Sequence, residues 1–277
     1  MSNINVSAAI LIIGDEVLNG KITDTNSRYF AKYCYNLGIP LREISTIGDD
    51  LIQIETSIKR LSLENDLIVT SGGIGSTHDD ITYESISKAF NLPCLLNQEC
   101  VARMERINQP TKRFQGQALK DHYRMATLPT GDIVKNYYVD EKMWVPVCSI
   151  DKKVYILPGI PQLFEKLLEL MKPNFQKIYQ LKDVHYLRYF VKTPYGESYF
   201  ASFLRELQEN ANKVSKNIKL GSYPHFGMGF NTISILGSES DKAELEKIKK
   251  LVIAKLKGEE VSSQDEDNYS NQRKDKL

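Results

Sequence analysis

The chain has 277 residues, 42% hydrophobic and 26% charged, the proportions of a folded globular protein rather than a disordered or fibrous one. Its 36 Lys and Arg offset 35 Asp and Glu, leaving a formal net charge of +1. The basic surplus of a nucleic-acid binder or a polybasic membrane-surface protein is missing, and the length suits one large domain or two ordinary ones.

The first apolar run, Val6–Ile13, is far short of the roughly 20 residues of a membrane helix. No basic stretch precedes it, and Gly14-Asp15-Glu16 follows where a leader's cleavage site would want small neutral residues. It reads as a strand. The expected location is therefore cytoplasmic, without excluding the nucleus, and no membrane contact is expected. Cys34, Cys94, Cys100 and Cys148 form no C-x-x-C pair, and the four histidines show no zinc spacing. Scattered thiols of this kind fit buried, reduced cysteines.

The next eighty residues alternate strand and helix signals. Tyr29, Phe30, Tyr33, Cys34 and Leu37 recur with helical spacing, opened by Asp24-Thr25-Asn26 and closed by Gly38 and Pro40. Leu41–Ile47 reads as a strand, Leu51, Ile54, Ile58 and Leu61 as a helical stripe, and Leu67–Thr70 as a short buried strand. A Gly-rich stretch, Ser71–Ser76, leads into a helix predicted from Asp80. The alternation predicts an α/β domain with a mostly parallel sheet between helical layers. Ligands of such sheets bind beyond the carboxyl ends of the strands.

Residues 95–125 read as a helical insertion. Strand signals return at Met143–Val147 and Val154–Leu157, and a helix is predicted over Gln162–Met171, stopping before Pro173. Beyond residue 180 the pattern changes. Strands at His185–Lys192, Lys219–Tyr223 and Asn231–Leu236 and helices at Ser198–Asn210 and Asp241–Lys257 predict a small α+β domain over 181–257. Residues 258–277 are polar and aperiodic, and disorder is expected there.

Three segments carry chemistry. Ser71-Gly72-Gly73-Ile74-Gly75-Ser76-Thr77 joins a buried strand to a helix, the arrangement by which backbone N–H groups and a helix dipole hold phosphate. It is neither a Walker A loop nor a G-x-G-x-x-G fingerprint. A plain turn with Asp79 or Asp80 as helix cap is the other reading. Two carboxylates beside a phosphate would repel it unless a divalent cation intervenes. Gly14-Asp15-Glu16 with Asp24-Thr25-Asn26, and Gly48-Asp49-Asp50, fall at the same sheet edge. Capping alone would also explain Asp24 and the Asp49-Asp50 pair. Three acidic clusters around one loop suggest metal-dependent chemistry on a phosphorylated ligand.

These stretches, with Leu157-Pro158-Gly159-Ile160-Pro161, Tyr195-Gly196-Glu197-Ser198 and Leu220-Gly221-Ser222-Tyr223-Pro224, closely resemble the MoaB/MogA-like molybdopterin-binding domain. The likeness is to the version in CinA-type competence-damage proteins and at the N-terminus of eukaryotic FAD synthases. It implies a three-layer α/β/α domain over 1–180 followed by a KH-like α+β domain. For this branch it implies divalent-metal-dependent cleavage of a dinucleotide pyrophosphate such as FAD or ADP-ribose, with Co2+ or with Mg2+ or Mn2+, and K+ as a further activator. Within the wider family the alternative is molybdopterin binding or adenylylation, and a catalytically silent nucleotide-binding protein is a third reading. Matched by motif, Asp80, Asp79 and Asp49 would be catalytic and Asp80, Asp79 and Asp15 would hold metal. Gly72, Gly73, Gly75, Ser76, Thr77, Asp24, Asn26, Gly14, Pro158 and Gly159 would bind substrate. The expected partner is a small nucleotide and not nucleic acid, since the KH-like segment shows no clear Gly-x-x-Gly loop. Family members often associate, so homo-oligomers are open. The amidohydrolase and adenylyltransferase domains of relatives do not fit after residue 257, so neither activity is carried over.

Overall fold

The structure is a computed structural model that describes residues 6–181 and 186–271. The chain divides into two compact units, Met1–Lys182 and Asp183–Leu277.

The first unit opens with β1 (Ala8–Ile13), α1 (Asp15–Leu18), α2 (Asn26–Asn36), β2 (Leu41–Ile47), α3 (Leu51–Glu64), β3 (Leu67–Ser71) and α4 (Thr82–Ala89). An excursion follows: β4 (Cys94–Leu96), α5 (Gln98–Ile107), α6 (Pro110–Arg113), α7 (Gly116–Arg124) and β5 (Thr127–Pro129). The unit ends with β6 (Val134–Tyr137), β7 (Val147–Ile150), β8 (Val154–Leu157) and α8 (Pro161–Ile178). Six strands form one sheet in the order β2-β1-β3-β8-β7-β6. The first three pairings are parallel and the last two antiparallel.

β1 explains why its sequence is a continuous apolar run. Ala8, Ile10 and Ile12 enter one core with Phe30, Tyr33 and Phe164. Ala9, Leu11 and Ile13 enter the other with Ile54, Ile58 and Ile86. A central parallel strand covered on both faces needs apolar residues at every position. The same burial silences the thiols. All four cysteines are free, and burial pushes the Cys34 and Cys148 thiols far up and that of Cys100 up to about 12.

Three local expectations are corrected. The helix predicted to stop before Pro173 runs on to Ile178. Pro173 has no N–H for the carbonyl one turn back, but Phe175, two residues on, is fully buried edge-on to Tyr155 at 4.8 Å and to Tyr33 at 6.3 Å, and this packing offsets the lost bond. The strand predicted at Met143–Val147 starts only at Val147, because residues 143–145 line a cavity instead. The helix predicted from Asp80 starts at Thr82, because the Asp80 side chain turns back to Thr77.

The second unit contains β9 (Tyr186–Thr193), α9 (Glu197–Val214), β10 (Lys219–His225), β11 (Phe230–Ser238), a 3-10 turn, α10 (Lys242–Leu256), β12 (Glu259–Val261) and α11 (Ser263–Asn271). Its sheet is antiparallel throughout, in the order β10-β11-β9-β12. His185, predicted to open the first strand, lies outside the described residues. The disorder expected from residue 258 is overturned as far as residue 271. Glu259–Val261 pair with β9, and Glu266 of α11 is buried beside His225. Residues 272–277 lie outside the described residues. No helix among the described residues is long and apolar enough to cross a membrane.

Candidate phosphate-binding site at the sheet edge

The carboxyl ends of β1, β3 and β8 lead into Gly14, Gly72 and Pro158-Gly159. Backbone bonds fix these exits: Gly14 N donates to Ile47 O at 3.0 Å and Gly72 N to Leu157 O at 3.3 Å. Asn26, at the start of α2, ties two of them together. Its Nδ2 donates to Ser71 Oγ at 2.8 Å and to Gly159 O at 2.9 Å. Its buried Oδ1 takes no hydrogen bond among the described residues.

Gly72 has φ +111° and Gly73 φ +64°, so the chain leaves β3 in a conformation that L-residues avoid. The loop is then held from α4. Thr82 Oγ1 donates to Gly72 O at 3.0 Å and Thr82 N to Gly73 O at 2.9 Å. Further on, Thr77 N and Thr77 Oγ1 both donate to Asp80 Oδ2, at 2.9 and 2.5 Å, so Oδ1 takes neither bond. Between these anchors the amides of Gly73, Ile74, Gly75 and Ser76 meet no acceptor among the described residues. Consecutive amides left without a protein acceptor are the kind of donors from which anion-binding backbone nests are made.

A cavity of about 620 Å3 opens beside this loop, within the usual range of small-molecule sites. Of the sequence-predicted residues, Gly72, Gly73, Gly75, Asp80, Asp24, Asn26, Pro158 and Gly159 line it. Gly14, Asp15, Asp49, Ser76, Thr77 and Asp79 do not. Glu16 takes the place expected of Asp15. Successive residues of α1 point about 100° apart, and the Asp15 carboxylate lies against Gly48, where a Cβ would collide with it. Asp24 serves as a helix cap as well, accepting from Ser27 N at 3.0 Å. Asp50 is the cap of α3, accepting from Gln53 N at 2.9 Å.

Sequence reading missed the opposite, largely apolar wall: Ile107, Met125, Met143, Trp144, Val145, Ile160 and Leu163, with Lys142 as a basic group. Ile107 and Met125 come from the excursion, residues 142–145 from the loop before β7, and Ile160 and Leu163 from the start of α8. Met143–Val145 were legible only as an apolar run, which a strand explains equally well.

Asp49 stands behind the wall and accepts from Asp15 N at 3.0 Å. Burial holds its carboxyl above the ordinary value of 3.8. The Asp15 amide opposes the rise, and the nearby Glu16, Asp15 and Asp79 carboxylates add to it. A carboxyl raised in the folded state binds its proton more tightly there than in the unfolded chain. Its contribution to stability is complete below the unfolded pKa and is lost as pH rises through the folded one. Asp49→Asn keeps the acceptor and deletes the charge. The variant should gain stability over the native protein as pH rises from 3.5 to 7, read from urea midpoints. A pH-independent difference would contradict this placement of Asp49.

The predicted metal trio is not assembled. Among the described residues no three His, Cys, Asp or Glu side chains converge so as to hold a metal ion. Asp15 turns to Gly48 and Asp79 is exposed off the cavity wall. Three acids, Glu16, Asp24 and Asp80, line the cavity; a hard divalent cation of the Mg2+ type commonly takes one or two carboxylates and fills its shell with water and substrate phosphate.

A mostly parallel sheet whose carboxyl edge carries a glycine-rich loop, acidic neighbours and a cavity of ligand size defines an α/β protein with a candidate small-molecule site. The chain belongs to the family of the probable molybdopterin binding domain, whose family model matches residues 9–177. Its place is in the CinA and FAD-synthase branch, as the motifs implied. It is 31% identical over 268 residues to a protein named probable FAD synthase from Caenorhabditis elegans, covering 89% of this chain and 50% of that one. It is 31% identical over 169 residues to a CinA-like protein of Thermotoga maritima, covering 61% and 41%. The chain thus spans about half the length of the curated FAD-synthase relatives it matches. A crystal structure of CinA from Thermoplasma acidophilum superposes with a TM-score of 0.53 at 26% identity, over 61% of this chain and 98% of that one.

Proposed function

We propose that the chain is a divalent-metal-dependent pyrophosphohydrolase acting on a dinucleotide-type pyrophosphate, with FAD (to FMN and AMP) and ADP-ribose (to AMP and ribose phosphate) as the leading substrates. The observation that carries this is the run of free amides at Gly73–Ser76 beside a cavity of about 620 Å3 with Asp80 and Glu16 on its wall. Relatives named FAD synthase and CinA-like support a nucleotide-related ligand.

The loop amides would bind the non-bridging oxygens of the pyrophosphate, and Lys142 would add charge from the facing wall. The apolar wall would take a planar base or ring. Asp80 and Glu16 would hold the cation, which when bound polarises a phosphoryl oxygen and eases ionisation of water. Water oxygen would add to one phosphorus, the P–O–P bridge would break, and two phosphomonoesters and a proton would leave.

The test is hydrolysis of FAD and ADP-ribose with Co2+, Mn2+ and Mg2+, with and without K+. Asp80→Asn should lower kcat/KM about a hundredfold or more while the thermal midpoint stays within a few degrees. Absence of metal-dependent turnover of both substrates, or full activity in Asp80→Asn, would sink the reading. Ligand-induced stabilisation without turnover would instead mark a silent nucleotide binder.

A further inference from the structure

The turn that carries Asp80 is gripped by a side chain from the excursion. Arg124 is the last residue of α7. Its Nη1 donates to Thr77 O at 2.8 Å and its Nη2 to Asp80 O at 3.4 Å. Glu84 Oε1 of α4 lies 3.7 Å from the same Nη2. Thr77 and Asp80 are already joined by the two bonds to Asp80 Oδ2, so the guanidinium closes the turn from its carbonyl side. One planar fork spans two acceptors and fixes both peptide planes. A lysine ammonium, a point charge on a flexible stem, does not impose that geometry. The next residue, Met125, is on the cavity wall, so the clamp also ties the apolar wall to the phosphate loop.

We propose that Arg124 is a positioning residue: it clamps residues 77–80 so that Asp80 and the free amides of 73–76 keep the shape that receives an anion and its cation. The inference rests on reading that loop as the phosphate site, but its first readout does not depend on catalysis. Arg124 is partly exposed, 31% for its side chain, so its replacement should leave the fold intact.

The experiment compares the full chain with Arg124→Lys and Arg124→Ala. Amide hydrogen exchange at residues 72–80 is measured together with Mn2+ binding by EPR in the presence of ADP. The Thr77 amide should exchange at least about tenfold faster in both variants, with amides in β1 and β3 unchanged. Mn2+ binding with ADP should weaken by about tenfold or more, the usual cost of losing an orienting partner. Lysine should rescue little, because the geometry and not the charge does the positioning. Unchanged exchange in Arg124→Ala would overturn the proposal. So would full recovery of protection and binding in Arg124→Lys, which would mark Arg124 as a diffuse charge. If the native chain binds neither Mn2+ nor ADP, the proposed hydrolase reading fails, while Thr77 exchange still decides the role of Arg124.

Discussion

Gly72→Ala should lower the thermal midpoint of the first unit by about 6–12 °C and abolish ligand binding at the sheet edge. The residue has φ +111°, and an added Cβ would run into the Ile13 carbonyl. That obstacle is backbone of the central strand and cannot rotate away. An unfavourable φ at one residue costs roughly 1–3 kcal/mol, and displacing the end of β1 brings the total to about 3 kcal/mol. At about 2–4 °C per kcal/mol for a unit of this size, the midpoint shift follows. The proposed ligand binding should be lost because shifting Gly72 disturbs Ser71 and Gly159, the two groups that Asn26 ties together; Gly72 Cα is already 3.2 Å from where a Cβ on Gly159 would stand. Gly20→Ala is the control. Gly20 also has a positive φ, +76°, but an added Cβ there meets nothing within 4 Å. It should cost about 1 kcal/mol and leave the site intact. Calorimetry of both variants decides the matter, and equal midpoints would refute the role given to Ile13.

Removing residues 259–277 should destabilise the second unit by about 3 kcal/mol. Deletion strips β12 from β9 and removes one of the two carboxylate partners of Lys249, Glu260, whose Oε2 lies 2.9 Å from Nζ; Glu246 remains. It also removes Tyr269, whose ring lies 5.0 Å from Phe230 and 5.7 Å from His225, both edge-on. Aromatic pairs of this kind contribute about 0.5–1.5 kcal/mol each. His225 Nε2 lies 2.9 Å from Thr232 Oγ1 and 3.3 Å from Glu266 Oε2; deletion removes Glu266 and opens His225 and Thr232 to water. Hydrogen exchange should rise across β9 and β11, at Val191 and Thr232 first. Full protection of those amides in the shortened chain would show that α11 contributes nothing.

The tail was misread for a definite reason. Its composition is polar, and by itself such a segment buries too little to hold a structure. Its order comes from partners elsewhere in the chain, including Lys192 for Glu259 and Phe230 for Tyr269. The capping pattern at its start was nevertheless in plain view. Ser262 N donates to Asp265 Oδ2 at 3.2 Å and Asp265 N to Ser262 Oγ at 3.1 Å, the reciprocal arrangement that opens helices. Glu16 stands next to Asp15 in the sequence, and adjacent acids look alike until the helix that carries them has been placed.

Sequence alone determined the alternating architecture of the first unit, the two-sided burial of β1 and the glycine loop after β3. Each of these is written in neighbouring residues: apolar periodicity sets the strand and helix faces, and glycine permits the positive φ values that the exit from β3 requires. Only the tertiary structure decided which acid faces the cavity, how Met143–Val145 and Met125 wall it, and that Arg124 grips a turn 44 and 47 positions earlier in the chain. Those contacts depend on where separate elements come to rest against the sheet, and no local pattern encodes the direction of a side chain across such a distance.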